Sequence, residues 1–336
     1  MSKEKAMFLG IEIGGTKLQF GVGFGDGSEL ALLVHREVKP VNQAVGILSQ
    51  IESTVKDLIG RYEIERIGIG FGGPVDVRTG KTTLSHQIKG WESFPLVAWV
   101  RKTFNRLAII GNDCDLAALA EARFGAGKNK ERVFFVTVGT GVGGGWVRNG
   151  HLDGINSPAI AEIGHLRPGL QAESPEITVE SMASGWGIAE ATRSYISTCL
   201  LDGSNKTCRV ESMDLLRRCD EKLDQLNAEI ISQAAADGNS IANRAIGRAC
   251  KSLGWAIAQM ITITSPDVVV IGGGVALMGE ELFFDPVKNE VAKYVFPPLR
   301  GSYEIVPAGL GELVVVHGAL AISSTVNIET RGLPTE

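Results

Sequence analysis

Two stretches of the chain, FLGIEIGGTKLQFGV (8–22) and FFVTVGTGVGGGWV (134–147), repeat one pattern. Each has an apolar run, a turn of small residues with Gly and Thr, and a second apolar run. Short apolar runs bounded by glycine read as buried strands. Each stretch is therefore two strands joined by a tight turn, and the repetition reads as an internal duplication of one ββ unit, one copy per lobe. Length agrees with two lobes. A single hydrophobic core rarely grows past roughly 250–300 residues, and the chain has 336.

The rest of the pattern alternates strands with helices. Strands are expected at 8–14, 17–24 and 30–38, then an amphipathic helix at about 42–59 stopped by Gly60. A strand at 67–71, a helix at 95–104 and a strand at 107–110 follow. Asn112 or Asp113 can cap a helix running to about Phe124. The second half restarts with a strand at 133–138, a glycine turn at 139–145 and a strand to Arg148. A mostly helical insertion, about 181–263, precedes a strand at 267–271 that leads into three glycines and a helix. Alternation in both halves implies an α/β fold, with a cleft between the lobes. The expected division is an N-terminal α/β lobe, 1–125, and a larger C-terminal α/β lobe, 126–311, carrying the helical insertion. A C-terminal helix at about 312–330 is a candidate to complete the first lobe.

Composition narrows the function classes. Net charge is −5, which argues against a nucleic-acid footprint of clustered Lys and Arg. Five cysteines (Cys114, Cys199, Cys208, Cys219 and Cys250) include no CxxC pair. Neither a disulfide scaffold nor a four-cysteine zinc site is signalled. The apolar run before Glu12 is too short for a secretory signal, and the long apolar region at 254–274 is broken by Gln259, Pro266 and Asp267. The expectation is a cytoplasmic protein with no membrane partner. Glycine is the outlier, with 42 residues against about 7% in average usage.

The glycines cluster at strand ends: Gly14 and Gly15, then Gly139, Gly141 and Gly143 to Gly145, then Gly272, Gly273 and Gly274. Consecutive backbone N–H groups in a tight turn can surround a phosphate, and glycine lets the backbone approach closely. Thr16 and Thr140 add hydroxyls and Lys17 a cation. Two such hairpins could hold a triphosphate. For any single cluster, tight turns and close strand packing remain the competing reading. Two familiar motifs fail. Gly10 and Gly15 are followed by Thr16 then Lys17, and by a strand where a P-loop needs a helix. Gly139, Gly141 and Gly144 match GxGxxG literally, but strand and turn residues follow where a dinucleotide fold starts a helix. A dehydrogenase is correspondingly disfavoured.

Four acids sit at ends of apolar strands or in small-residue turns: Glu12, Asp113, Glu162 and Glu180. A carboxylate there is costly to desolvate unless paired or solvated. Helix capping competes for Asp113, a hydrogen-bonded strand position for Glu12, and ordinary surface acids for Glu162 and Glu180. His165, three residues after Glu162, could be a core histidine, a metal ligand or a hydroxyl-binding group. His86, His151 and His317 have no such company. Trp91 and Trp255 read as core, and Cys114 as a packed thiol.

These pieces together resemble the ROK family of repressors, open reading frames and kinases, within the actin–hexokinase–heat-shock-70 superfamily. They occur in order: GIEIGGTK (10–17), GIGFGGPVD (68–76), GND (111–113), VGTGVGGG (138–145), AEIGH (161–165), VESMASG (179–185) and PDVVVIGGG (266–274). The resemblance implies a two-lobed actin-like ATPase (ribonuclease H-like) fold with duplicated mixed-sheet domains. It implies that Gly14, Gly15, Thr16 and Lys17 form the first phosphate hairpin and Gly139, Thr140, Gly141 and Gly143 the second. Gly272, Gly273 and Gly274 form the adenosine-side turn. Asn112 and Asp113 match the family's Asn–Asp pair, in which the Asp is the catalytic base. Glu162, His165 and Glu180 match its sugar contacts.

The implied function is an ATP-dependent hexose kinase of glucokinase type, acting on the sugar 6-hydroxyl, with Mg2+ held by Glu12 through water. Fructose, N-acetylmannosamine or N-acetylglucosamine as acceptor, polyphosphate as donor, and a non-catalytic sugar or nucleotide sensor are the alternatives. The family implies a homo-oligomer, dimer or tetramer. Two departures stand out. Residues 166–179 lack the family's cysteine-rich zinc motif, so no zinc site is expected and His165 needs other contacts. Gly72 stands where proline is usual. The first strand is expected by about residue 7, leaving no room for the helix-turn-helix of repressor members.

Overall fold

The computed structural model describes residues 5–83, 88–154, 160–169, 174–202 and 206–325. His86, part of the segment 166–179 and the end of the helix expected at 312–330 lie outside them. The chain opens with β1 (Met7–Ile13), β2 (Lys17–Gly23) and β3 (Leu32–Glu37), an antiparallel ribbon. After α1 (Gln43–Arg61), β4 (Ile64–Phe71) returns parallel to β1. A short hairpin, β5 (Val75–Asp76) and β6 (Lys81–Thr82), and α2 (Leu96–Phe104) follow. Then β7 (Leu107–Asn112) joins parallel to β4 and runs straight into α3 (Asp113–Phe124).

The next strands are β8 (Arg132–Val138), β9 (Val142–Arg148) and β10 (His151–Leu152). The helical insertion comprises α4 (Val179–Ala183), α5 (Gly185–Asp202), α6 (Lys206–Arg218), α7 (Ala228–Ala236) and α8 (Ser240–Thr264). The chain ends with β11 (Val268–Gly272), α9 (Asp285–Tyr294), β12 (Glu304–Pro307) and α10 (Val314–Thr325). The sheets run β3-β2-β1-β4-β7 and β10-β9-β8-β11-β12. In both, the order of strands along the chain is third, second, first, fourth, fifth, as the duplicated ββ pattern would produce.

Two compact units result. One is Met1–Glu131, Gly145–Ile160 and Gly309–Glu336; the other is Arg132–Gly144 and Ala161–Ala308. Residues 145–160, which the sequence reading gave to the larger lobe, group with the first unit. No described helix is long and apolar enough to cross a membrane. Cys199 and Cys208 are joined as a disulfide, which their spacing did not signal, while Cys114, Cys219 and Cys250 remain outside it.

Strand alternation gives the first sheet two different faces. Ile11, Ile13, Leu18, Phe20, Ile67 and Ile69 point to one side and form the core with Ile47, Ile51, Val55 and Leu58 of α1. That stripe outweighs the local signal of Gly60. The helix runs on to Arg61, and Tyr62 N–H donates to Leu58 O. A glycine near a helix end costs only about 1 kcal/mol.

The other face carries Gly10, Gly21, Gly68 and Gly70, and α10 lies close upon it. A Cβ on Gly68 would stand 2.0 Å from Ala319 O and 2.5 Å from Ser323 Oγ. Much of the glycine excess thus serves helix-on-sheet packing. Gly68→Ala is expected to cost at least roughly 1–3 kcal/mol, the usual range for overpacking, which a shift of the urea midpoint at unchanged slope would register.

In the second unit, every residue of β11 is buried. It lies between β8 and β12 and parallel to both, the setting in which strands read as continuous apolar runs. After Gly273 the chain forms a 3-10 turn, Gly274–Met278, and a π turn, Glu280–Phe284, before α9 begins. The helix expected directly after the glycines therefore starts late.

Candidate active site

In the first unit the candidate residues gather where β1, β4 and β7 end. The turn between β1 and β2 closes with Gly14 N–H donating to Lys17 O at 3.0 Å. Thr16 is exposed at its tip. Beside it, Gly72 N–H donates to Ile13 O at 2.9 Å. A Cβ on Gly72 would lie 3.5 Å from Asp113 Oδ2 and 3.6 Å from Gly14 Cα. The carboxylate of Asp113 is therefore a neighbour of the first glycine hairpin, across the gap that the missing side chain of Gly72 leaves.

The helix cap is Asn112, not Asp113. Asn112 Oδ1 accepts from Cys114 N at 2.8 Å and from Asp115 N at 3.3 Å, and its Nδ2 donates to Gly73 O at 3.1 Å. One side chain thus ties the start of α3 to the Gly72–Gly73 loop. Asp113 follows as the first helical residue, its Oδ1 accepting from Cys114 N at 2.9 Å. Burial pushes its pKa above the ordinary carboxylate value, although hydrogen bonds from Cys114 pull the other way.

Glu12 is almost wholly buried on the face of β1 that α10 covers. Its Oε1 is 3.4 Å from Lys17 Nζ, and its Oε2 has no hydrogen-bond partner among the described residues. Burial raises its pKa to about 7; Lys17 opposes the shift, while Asp113 and Glu312 add to it. A buried carboxylate oxygen without a donor suits the water shell of a divalent cation, which supplies O–H donors and positive charge.

In the second unit, the glycine turn between β8 and β9 is shorter than expected: Gly139 N–H donates to Gly141 O at 2.9 Å, and β9 has begun by Val142. Val142 organises its surroundings. Its N–H donates to Glu180 Oε2 at 2.9 Å. Its carbonyl lies 2.0 Å from where a Cβ on Gly164 would be, so only glycine fits at position 164, just before His165. Glu162 is half-buried and His165 exposed. Ala161, just before them, is held at φ +61°, where a Cβ costs roughly 1–2 kcal/mol. Ala161→Gly is expected to stabilise the protein by about 1 kcal/mol, seen as a higher melting temperature, and to loosen the Glu162 turn.

Three glycine segments meet at the far end of β8 and β11. Gly185 N–H donates to Gly139 O at 2.8 Å, and the Cβ position of Gly139 is 3.9 Å from Gly274 N. Gly273 takes φ +90° with a Cβ position only 2.5 Å from Val138 O, and Gly272 pairs with Thr137. Next to them lies a pocket of about 860 Å³ that includes Thr140, Trp186, Arg193, Asn227, Gln233 and Met278. Trp186 and the polar residues of α7 carried no motif. They reach the pocket only through the packing of the helical insertion.

The sequence profile described as ROK family matches residues 8–326. The glucokinase of Thermotoga maritima is 29% identical over 322 residues, covering 95% of this chain and 97% of that protein. The crystal structure of a ROK family glucokinase from Streptomyces griseus in complex with glucose and AMPPNP superposes with TM-score 0.78 at 26% identity, covering 95% of this chain and 99% of that one. A ROK family transcriptional regulator, a homologue of the E. coli MLC protein, shares the fold with TM-score 0.77 at 20% identity, covering 95% of this chain and 78% of that one. The two α/β units are those of the actin-like ATPase fold.

Proposed function

The chain belongs to the ROK family, and from that membership we propose that it is a sugar kinase that transfers the γ-phosphoryl group of ATP to the 6-hydroxyl of glucose. The observation that carries this reading is the position of Asp113, a carboxylate with a raised pKa set beside the first glycine hairpin. The similarity to proteins named glucokinase, one of them solved with glucose and AMPPNP, supports it.

Asp113 accepts the proton of O6 as the O6–Pγ bond forms. The bond from Pγ to the β–γ bridging oxygen breaks, and ADP leaves with its electron pair. A raised pKa helps, because a base works best when its pKa lies nearer the operating pH. Asn112, Glu162, His165 and Glu180 bind sugar hydroxyls. Glu180 has its Oε1 for this, since Oε2 serves Val142. Such a polar site rejects analogues that leave its groups unpaired.

Gly14, Gly15, Thr16 and Lys17, with Gly139, Thr140, Gly141 and Gly143, hold the phosphates. Gly272, Gly273 and Gly274 border the adenosine. The pocket beside them favours ATP over polyphosphate as donor, because its volume suits a nucleoside and polyphosphate has no group to fill it. Glu12 is the residue that would hold Mg2+ through water, and a cation there would supply positive charge against the triphosphate. A coupled ADP assay across hexoses and amino sugars tests the assignment. Glucose is expected to give the highest kcat/KM, and no ADP from any sugar would refute kinase activity.

A further inference from the structure

The register of the first sheet lines up Glu12 with two polar residues that no motif contains. Glu12 stands opposite Gln19 in the β1–β2 pair, and Gln19 stands opposite His35 in the β2–β3 pair. Directly opposed residues of antiparallel strands have Cβ atoms about 4.5–5.5 Å apart on one face. Gln19 is completely buried, on the face where its neighbours along the strand, Leu18 and Phe20, do not point. Its Nε2 lies 3.1 Å from Nδ1 of His35. Its Oε1, like Oε2 of Glu12, has no hydrogen-bond partner among the described residues.

A buried acceptor left without a donor forfeits the hydrogen bonds it made with water and is costly. Two of them on facing residues are unlike a packed core, where an apolar side chain at position 19 would avoid the cost. They fit a guest that brings donors. Lys17 already serves the other oxygen of Glu12, and the remaining charged neighbours of Glu12, Asp113 and Glu312, are acids. The surroundings therefore favour a guest that is positively charged and clothed in water.

We propose that Gln19 is a positioning residue for the divalent cation at Glu12: His35 holds one end of its carboxamide, leaving Oε1 to accept a hydrogen bond from the cation's water. This rests on the reading of Glu12 as the cation residue. Residues that act on a metal through its ligands or waters commonly change affinity 10–100-fold when lost.

The test is Mn2+ binding to the protein with ADP present, followed by electron paramagnetic resonance, alongside calorimetry of ADP without metal. Gln19→Leu keeps the bulk and removes the amide. It is expected to weaken Mn2+ binding roughly 10-fold, the low end of that range, with metal-free ADP binding unchanged. His35→Ala, an exposed position on an edge strand, is expected to give a smaller loss in the same direction, and decides the matter alone if Gln19→Leu does not fold. Glu12→Gln is the control. If it loses Mn2+ while both other variants keep wild-type affinity, the role of Gln19 is overturned and the cation reading stands. If Glu12→Gln also binds Mn2+ normally, the reading of Glu12 falls and this inference with it.

Discussion

Asp113→Ala is expected to lower kcat by roughly 10²–10⁴-fold, the usual contribution of a positioned general base, while the protein stays folded. The two outcomes separate because of the local geometry. Asn112 caps α3 and ties it to Gly73, so helix and loop keep their anchor when Asp113 is shortened. Asp113 itself is hydrogen-bonded to its chain neighbours Cys114 and Asn112. Steady-state kinetics with circular dichroism on the same sample checks both halves. A folded variant with wild-type kcat would remove Asp113 from the chemistry. Loss of kcat with an unchanged KM for glucose would point to the proton transfer rather than to sugar binding.

Glu12→Gln is expected to do two opposite things. Catalysis should fall, because the cation's carboxylate is gone. The cation-free protein should become more stable at pH 8, by roughly 3–4 kcal/mol at about 1.4 kcal/mol per pKa unit. The sign follows from the pKa of Glu12, raised from 4.5 to about 7 in the folded protein. Below pH 4.5 the group is protonated whether the chain is folded or not, and the fold bears no penalty. As pH rises from 4.5 towards 7, the unfolded chain releases the proton first, and stability drains away. Above 7 the buried carboxylate is charged and the whole penalty is present. Glutamine is never charged, so the gain should be large at pH 8 and nearly absent at pH 4.5. Urea unfolding in EDTA at both pH values measures it. Equal stability of the two proteins at pH 8 would show that Glu12 carries no burial penalty.

Most strands were legible because their apolar runs are short and bounded by glycine, as in residues 8–14 and 133–138. The start of α3 was legible from Asn112 and Asp113 before an apolar run, but which of the two caps it was settled only by the hydrogen bonds of Asn112. What escaped is what depends on partners far along the chain. Gly60 looked like a helix stop, yet the buried stripe of α1 carries the helix past it. The strand Glu304–Pro307 has an ordinary sequence and exists because β11 offers it an edge. Gly68 and Gly70 fell inside an expected strand, 67–71, but their close fit under α10 needed the C-terminal helix to be in place. Gln19 and His35 gave no signal, since only strand register brings them into line with Glu12. Glu180 was expected to face a sugar; its bond to Val142 N–H shows that it also fixes the second glycine turn.

The most direct measurement is phosphorus-31 magnetic resonance of the protein with glucose, ATP and Mg2+. The predicted result is a sugar phosphomonoester and ADP growing in equal amounts as the γ-phosphate signal declines, with almost none of either from Asp113→Ala. ATP left intact by the wild-type protein, or converted to ADP and free phosphate with no sugar ester, would contradict the account.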